Sequence, residues 1–349
     1  MLKNYKINTT SVDLIRISAI FSVIIIHTCS APFRSHTENF EVFSSITSFT
    51  RWCVPVFFML TGALLIGKEE PISVFFKKRA SRILIPLIVW SYVYIVFAKF
   101  FSYLDPSHAN PSIFTSPILL FKQPAYFHLW FLYAIISVYM VIPFLRAAFC
   151  NHNNSIILYV LAIWFVNSSI ITFLNLSGIQ TPTLYLIRLN VLADYAGMSA
   201  LGFFLIKNIN RFSFKSSSAI FIFGFISTAA LTVISSSEKA SELYQYYTSP
   251  NVIVMSVGAF LMLYKIGENI TNAYFCKLIK MLGSLSFGIY LSHMLIMPFI
   301  WTIPFMSNAH VTHSHYPILN VLISALCTLT FSSILSFLIS KTPLINRII

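Results

Sequence analysis

The chain is dominated by apolar runs that are each about as long as a membrane-spanning helix. We identify ten of these runs, near residues 11–29, 51–67, 83–103, 129–149, 155–174, 184–206, 217–236, 250–267, 282–304 and 317–339. A helix needs roughly 20 predominantly apolar residues to cross the hydrocarbon core of a bilayer. The sequence therefore predicts an all-α integral membrane protein, a polytopic bundle of about ten transmembrane helices embedded in lipid.

The composition excludes a soluble globular protein. Of the 349 residues, 57% are hydrophobic and 9% are charged, whereas a soluble domain has about 25% charged residues. The segments between the runs are too short for a second soluble domain, so we expect residues 1–349 to form a single transmembrane domain. The five cysteines form no C-x-x-C pair, which excludes a zinc ribbon and a dithiol redox motif.

The distribution of basic residues predicts the orientation. If the N-terminus is cytoplasmic, 16 of the 23 Lys and Arg residues lie in segments on that side, five lie on the other side, and Arg16 and Arg188 lie within spans. Short cytoplasmic loops carry an excess of Lys and Arg, so both termini are predicted to be cytoplasmic. The net charge of +13 is explained by this topology, and no nucleic-acid partner is predicted.

The first run, "DLIRISAIFSVIIIHTC", contains three ionisable residues: Asp13, Arg16 and His27. A charge inside a membrane helix costs about 2.5–3.5 kcal/mol or more and usually serves a function. Arg16 and His27 are eleven residues apart, which is about three helical turns and ~16 Å along one face, and Asp13 can pair with Arg16. One interpretation is simple charge neutralisation with a packed histidine, and the other is chemistry at a buried site.

Several motifs resemble those of the membrane acyltransferase-3 family. The R-x10-H pattern "RISAIFSVIIIH" is similar to the signature of that family's first span. Four later segments are similar in the same order, and the ending "KTPLINRI" also fits: "VPVFFMLTGALL", "FFKKRASRILIPLIVW", "HLWFLYAI" and "LGSLSFGIYLSHM". The resemblance covers nearly the whole chain. It points to the stand-alone branch of the family, because the chain is too short for the fused extracytoplasmic hydrolase-like domain that many members carry.

This resemblance implies an O-acyltransferase, and most often an O-acetyltransferase, in the bacterial inner membrane. The implied donor is acetyl-CoA, which acts as a substrate and not as a permanently bound cofactor. The implied acceptor is a hydroxyl of a cell-surface polysaccharide or of its lipid-linked precursor. His27 would remove the hydroxyl proton or carry the acetyl group, and Arg16 would orient the thioester or stabilise developing negative charge.

Two other classes of polytopic protein remain open at this stage. A secondary transporter also carries Arg, Asp and His residues inside its spans, although the hydropathy of this chain shows no two-fold repeat. A polysaccharide polymerase or flippase would handle lipid-linked sugars as well. The sequence predicts no particular oligomeric state.

The basic segment "KKRASR" before the third run is the predicted donor-binding element. Arg79 and Arg82 could bind the phosphates of CoA, because the planar guanidinium makes bidentate hydrogen bonds to phosphate. The alternative is an ordinary cytoplasmic anchor of the kind that every polytopic membrane protein needs.

Four further polar or aromatic residues are candidates for the acceptor side of the cavity. His128 and Trp130 open the fourth run, where Trp130 could equally belong to an interfacial aromatic belt. Tyr290 and His293 extend a polar stripe from Ser286 along the ninth run, where interhelical hydrogen bonding is the alternative role. Asp13 joins this group through its expected contact with Arg16.

The remaining charged and histidine residues receive no assigned role. Arg188 and Asp194 are six residues apart, so they lie on different faces of a helix and need separate partners. His310, His313 and His315 lie close together in the last outer loop, but no acidic or cysteine ligand is near them. We therefore predict no metal site there.

Overall fold

The computed structural model describes residues 7–36, 38–100, 112, 116–149, 154–179, 192–236, 239–307, 311, 313–343 and 345–349. The longer helices are α1 (Thr9–Arg34), α2 (Phe40–Thr50), α3 (Cys53–Leu65), α4 (Ile72–Phe100), α5 (Trp130–Phe149), α6 (Asn154–Trp164), α7 (Thr172–Leu176), α8 (Leu192–Lys207), α9 (Phe214–Ser235), α10 (Pro250–Asn269), α11 (Ala273–Trp301) and α12 (Pro317–Lys341). A π-helical turn, Phe165–Ile171, joins α6 to α7.

The prediction of a helical membrane bundle is confirmed. Within the described residues, nine helical segments are long and apolar enough to cross a membrane. The predicted run at 184–206 corresponds to α8, whose 16 described residues extend about 24 Å. Residues 180–191 lie outside the described residues, so this run is described only in part.

Contacts between helix ends show that successive spans alternate in direction. At one face of the bundle, the backbone N–H of Asn8 donates to the Tyr264 hydroxyl (2.9 Å), and Asn154 donates to the Asn208 side chain (2.9 Å). We call this the basic face, because the basic residues of α4 lie there. At the opposite face, Asn39 donates to the Ser314 carbonyl oxygen (3.1 Å). The N-terminal end of α1 and the C-terminal end of α12 therefore share the basic face, as an even number of crossings requires.

The termini of several helices carry ordinary capping residues. The Asn8 side chain accepts a hydrogen bond from the Ser11 N–H at the start of α1, and Asn272 accepts from the N–H groups of Tyr274 and Phe275 at the start of α11. α9 begins with a capping box formed by Ser213 and Ser216. These groups satisfy N–H donors that have no partner within the helix, and they fix where these spans begin.

The centre of the bundle is formed by α11, α1 and the α2–α3 segment. In α11, 78% of the most apolar window is buried, compared with 28% in each of the segments 154–176 and 214–235, whose outer sides are free to contact lipid. α3 and α8 approach so closely that a Cβ on Gly62 would overlap the Ser199 backbone and one on Gly202 would overlap Met59. Small residues allow such close helix contacts in membranes.

Two boundaries differ from the sequence-based expectation. The second span begins at Phe40 and is interrupted at Arg51 and Trp52, so Arg51 lies within the bundle and not in an outer loop. Its side chain is only 11% exposed. The third helix begins at Ile72, so the "KKRASR" segment is the first part of α4 and not a separate loop. In both cases helical structure continues through polar residues that hydropathy alone assigns to loops.

Candidate active site

A cavity of about 850 Å³ lies among α1, α3, α4, α5 and α11. Its volume is within the range of small-molecule and cofactor sites, about 300–1,000 Å³. The lining residues divide by position into a basic end at the basic face, an apolar middle, and a histidine end deeper in the bundle. Arg16 and His27 both line this cavity, so the two residues that the eleven-residue spacing places on one helix face do share one space.

The basic end is formed mainly by the first turns of α4 and the preceding loop. Its charged lining residues are Arg16, Lys68, Glu70, Lys78, Arg79 and Arg82. Arg16 donates a hydrogen bond to the Asp13 carboxylate at 2.9 Å, the predicted i, i+3 pair. Among the described residues, Arg82 has no ion-pair partner, and its side chain is exposed. This end therefore presents an uncompensated guanidinium to an anionic ligand.

Glu70 gathers the other cations of the basic end. Arg79 donates to the Glu70 carboxylate at 3.1 Å and Lys78 at 3.3 Å. Burial by itself would raise the pKa of Glu70, but the nearby charges of Arg79, Lys78 and Arg146 and the hydrogen bond from Lys78 outweigh it and lower the pKa below its ordinary value. The carboxylate therefore stays ionised and holds Arg79 in place.

Arg146 at the end of α5 completes this arrangement. It donates to the carbonyl oxygens of Leu65 (2.9 Å) and Glu70 (3.2 Å). The buried Phe75 ring has the Arg79 guanidinium at 4.8 Å and the Arg146 guanidinium at 5.2 Å. Arg146 thus ties the end of α3 and the Glu70 loop to α5.

The middle of the cavity is mostly apolar. Val23 of α1, Phe57 and Leu60 of α3, and Ile135 of α5 line it between the two ends. This stretch therefore favours an uncharged part of a ligand over a charged one.

Three histidines meet at the histidine end. The ring centroids of His27 and His293 are 5.3 Å apart, and those of His293 and His128 are 5.2 Å apart. His27 and His128 line the cavity, whereas His293 is fully buried behind them. The short 3-10 turn before α5, Phe127–Leu129, and helix α11 thus each bring an imidazole close to the α1 histidine.

The hydrogen bonds of these rings fix part of their protonation state. His293 Nδ1 lies 2.6 Å from the Tyr290 carbonyl oxygen, which can only accept, so Nδ1 carries the proton. Among the described residues, His293 Nε2 and both ring nitrogens of His128 are buried without a hydrogen-bond partner. Buried polar atoms of this kind call for an explanation, and no described residue supplies one for His128.

Tyr290 connects the histidines to the aromatic wall. Its side chain lines the cavity, and its hydroxyl donates to the His128 carbonyl oxygen at 2.7 Å. Tyr94, which is fully buried, packs edge-on against the other side of the His128 ring at 4.7 Å. The loop that carries His128 is therefore held by α11 and α4 together.

The structure brings most but not all of the sequence-predicted site residues to the cavity. The residues that line it are Arg16, His27, Arg79, Arg82, His128, Trp130 and Tyr290. Asp13 touches the cavity only through Arg16 and packs against Gly283, and His293 lies behind the wall.

Of the charged and histidine residues without an assigned role, Asp194, His313 and His315 are described and do not line the cavity. Arg188 and His310 lie outside the described residues. Asp194 accepts a hydrogen bond from Ser168. The described residues contain no group of three or more potential metal ligands.

Sequence reasoning missed Glu70, Arg146 and Tyr247. Glu70 and Arg146 are 76 residues apart, and both looked like ordinary loop charges next to spans. Tyr247 lies in the segment before α10 and lines the cavity near Trp130. No local pattern marks these residues, because each acquires its neighbours only when the spans pack.

Comparison with known proteins identifies one match. A family model for an acyltransferase domain, of the acyltransferase-3 type, matches residues 9–340, nearly the whole chain. No curated protein matches the chain, and no solved structure does.

Proposed function

We propose a specific activity for this chain, which belongs to the acyltransferase-3 family and is therefore an acyltransferase. It transfers an acetyl group from acetyl-CoA to a hydroxyl of a bacterial cell-surface glycan or of its lipid-linked precursor. The observation that carries the proposal is the single cavity that joins a cationic mouth to a histidine. The chain is a multi-pass membrane protein, and the bacterial inner membrane is its proposed location.

The basic end is the proposed donor site. Arg82 is unpaired among the described residues, and the α4 cations Arg79 and Lys78 lie next to it. Guanidinium groups bind phosphates through charge-assisted hydrogen bonds. With the phosphates of CoA at this end, the uncharged pantetheine arm would extend through the apolar middle and bring the thioester to His27. Because acetyl-CoA is cytoplasmic, the basic face would be the cytoplasmic face.

His27 is the proposed catalytic residue. In a direct transfer, His27 takes the proton of the acceptor hydroxyl, the oxygen bonds to the acetyl carbon, the carbon–sulfur bond breaks, and the CoA thiolate takes the proton back from His27. In a two-step transfer, a neutral His27 nitrogen bonds to the acetyl carbon as the carbon–sulfur bond breaks and the CoA thiolate leaves. The acceptor oxygen then bonds to the acetyl carbon, the carbon–nitrogen bond to His27 breaks, and the hydroxyl proton goes to the CoA thiolate. Both routes need a ring nitrogen of His27 that faces the cavity. The place of His27 in the cavity lining supports this requirement.

Arg16 and Asp13 form the proposed electrostatic part of the donor site. Arg16 lies between the basic end and the apolar middle, about 16 Å from His27 along α1. This distance favours a role in holding the donor over a direct contact with the reacting carbonyl. Asp13 pairs with Arg16 and would orient its guanidinium.

His128, His293 and Tyr290 are proposed to support the acceptor side. His128 is buried, has no partner on either ring nitrogen among the described residues and lines the cavity, which suits a hydrogen bond to the acceptor. His293 would position His27 by ring contact, and Tyr290 would hold the His128 loop.

The test is acetyl transfer in membranes. Membranes that contain the protein are incubated with acetyl-labelled acetyl-CoA, and the glycan is extracted and counted. We expect label in the glycan, removable by mild alkali as an ester should be, and none with membranes that lack the protein. Release of CoA thiol without labelled glycan would contradict a glycan acceptor, and absence of both would contradict acetyl-CoA as donor. In a parallel sample without acceptor, label on His27 itself would identify the two-step route.

A further inference from the structure

A second groove is lined by α6, α8, α9 and α10, on the lipid-facing side of the bundle. Its volume is about 380 Å³, and every residue that lines it is aliphatic or aromatic. Leu158 on its rim is 49% exposed. The hydrocarbon core of a bilayer contains no water to fill such a space, so in the membrane this groove must hold a hydrocarbon chain. We call it the lipid groove.

The packing of the neighbouring helices keeps the lipid groove open. α9 approaches α10 so closely that a Cβ on Gly224 would overlap Met255. α6 packs in the same way on α8, where a Cβ on Gly197 would overlap the Trp164 indole. The Trp164 indole N–H also donates to the Asp194 carbonyl oxygen at 2.9 Å. α9 is thus held to α10 and α6 to α8, which leaves the space between α6 and α9 unfilled.

The lipid groove lies in the half of the membrane next to the basic face. Asn154 marks this face at the start of α6. The groove residues Leu158 and Phe165 follow Asn154 by about 6 Å and 16 Å along the helix axis. On α8, the groove residue Phe204 lies one turn before Asn208, the partner of Asn154. Half of the hydrocarbon core is about 15 Å thick, so the lipid groove extends over the depth of a single leaflet.

Positive charge is concentrated where the lipid groove meets the basic face. The connection between α8 and α9 carries Lys207, Arg211 and Lys215, and the chain has no acidic residue from 195 to 236. Arg211 and Lys215 are exposed, and neither has an ion-pair partner among the described residues. This connection joins Phe204 to Ile220, and both of these residues line the lipid groove. A lipid with an acyl chain in the groove would therefore place its headgroup among these cations.

The alternatives each explain only part of these observations. A general cytoplasmic anchor explains the cations but not the groove beneath them. A neutral phospholipid would fill the groove and leave the cations unpaired. The lipid tail of a glycan precursor would be expected near the histidine end of the main cavity, which lies deeper in the bundle than the mouth of the lipid groove.

We propose that the lipid groove binds one anionic phospholipid from the leaflet at the basic face. One acyl chain lies along α6, and the headgroup phosphate lies at Arg211 and Lys215. The lipid groove shares no lining residue with the main cavity, so the inference does not depend on the acetyl transfer proposed above. The bound lipid fills the space between α6 and α9 and holds these two spans together.

Quenching of tryptophan fluorescence tests this site, because Trp164 lines the lipid groove. The full chain, purified in a neutral detergent, is titrated with phosphatidylglycerol or phosphatidylcholine that carries bromine atoms on its acyl chains. Bromine quenches tryptophan on contact, so the part of the quenching that is lost in Trp164→Phe reports the groove. We expect phosphatidylglycerol to half-saturate this signal at a roughly 10–30-fold lower mole fraction than phosphatidylcholine, since each of two cations should contribute about fivefold.

Matched variants separate the headgroup, the acyl chain and the total charge. The double variant Arg211→Gln, Lys215→Gln should abolish the preference for phosphatidylglycerol. The double variant Lys277→Gln, Lys341→Gln removes two exposed cations from the basic face on α11 and α12, away from the groove, and should keep the preference. Ala162→Phe fills the groove from its exposed rim and should reduce quenching by both lipids.

Three results would overturn the inference. Equal half-saturation by the two phospholipids would show that bulk lipid fills the groove without recognition of the headgroup. Loss of the preference in both double variants would show that only the total charge of the basic face attracts the lipid. Displacement of brominated phosphatidylglycerol by a long-chain polyprenyl phosphate, at a lower mole fraction than by unlabelled phosphatidylglycerol, would make a prenyl lipid the occupant. If Trp164→Phe does not fold, the quenching lost in Ala162→Phe reports the groove instead.

Discussion

The two ends of the cavity hold their polar groups in opposite ways. At the basic end the groups are long, partly exposed side chains that pair in part with Glu70 and Asp13. At the histidine end the groups are short rings, mostly buried, packed edge to face among aromatic neighbours, and several nitrogens lack a partner among the described residues. Flexible charge suits attraction of a soluble anion, whereas fixed rings suit chemistry that needs exact placement. Under the proposed function, the difference teaches that donor binding and the chemical step are assigned to residues about 16 Å apart on one helix.

The largest expected effect tests the reactive end. His27→Gln keeps a hydrogen-bonding side chain of similar length but cannot exchange a proton near neutral pH. If His27 is the general base, transfer should fall roughly 10²–10⁴-fold, while the amount of protein in the membrane stays normal by immunoblot. His313→Gln, on an exposed histidine, is the control and should leave transfer unchanged. Near-wild-type transfer by His27→Gln would show that the ring only packs.

The next effect concerns Arg16, which joins the two ends. Arg16→Lys keeps the charge and the pairing with Asp13 but loses the planar fork. A charge-assisted hydrogen bond contributes about 1.5–3 kcal/mol, so kcat/KM for acetyl-CoA should fall roughly 10–100-fold. Abundance in the membrane should be unchanged. If the variant is as active as wild type, Arg16 only neutralises Asp13 and does not hold the donor.

At the basic end, the two α4 arginines should behave differently. Arg82→Gln removes an arginine with no ion-pair partner among the described residues, and we expect KM for acetyl-CoA to rise about tenfold with stability unchanged. Arg79→Gln should raise KM too, but it should also lower thermal stability, because it removes a partner of Glu70. Lys77→Gln lies on the same helix, away from the cavity, and serves as control. Equal effects of all three variants would mean that α4 acts only through its total charge.

A smaller effect concerns Glu70 and pH. The depressed pKa of Glu70 means that its pairing stabilises the folded state above the ordinary glutamate value of about 4.3. This stabilisation is lost as pH falls through the lower folded value. Glu70→Gln should therefore lower Tm in detergent at pH 7, by about 2–4 °C for each kcal/mol lost. The gap from wild type should close as the pH falls below about 4. A constant gap across this range would show that the charge of Glu70 is not what stabilises the loop.

The last prediction tests only the direction of the cavity. In a background without native cysteines, Lys68→Cys at the basic face and Tyr246→Cys at the opposite face are each exposed. An impermeant thiol reagent added to intact cells should label Tyr246→Cys alone, and added to inside-out vesicles it should label Lys68→Cys alone. The reverse labelling pattern would place the basic end on the outer side of the membrane, where cytoplasmic acetyl-CoA could not reach it.

Much of the fold could be predicted from sequence because each span is encoded locally. The run predicted at 250–267 is α10 (Pro250–Asn269), and the run at 317–339 is α12 (Pro317–Lys341). Hydrophobic length alone determines these boundaries. It failed at the second span, where Ser44, Thr47 and Ser48 lower the hydropathy even though all three are buried. The hydroxyls of Thr47 and Ser48 form hydrogen bonds inside the bundle, which hydropathy does not register.

Residue spacing alone predicted the candidate site only where its residues share a helix, whereas Arg79, Arg82, His128 and Tyr290 were predicted through the family resemblance and also line the cavity. The spacing of Arg16 and His27 is enough to align them on α1. The proximity of His128 and His293 to His27 depends on how α5 and α11 pack against α1, and no spacing in the sequence reports that. Tyr247 gave no signal at all, since an isolated tyrosine at the start of a span is ordinary.

The apolar middle of the cavity has an electrical consequence. A membrane that stores a potential must not contain a path for ions, and each elementary charge that crosses 100 mV releases about 2.3 kcal/mol. Val23, Phe57, Leu60 and Ile135 line the middle of the cavity with low-dielectric side chains. A bare proton or metal ion would lose its hydration there at a cost of several kcal/mol, whereas a neutral thioester arm would not. These apolar side chains therefore oppose the passage of ions along the cavity.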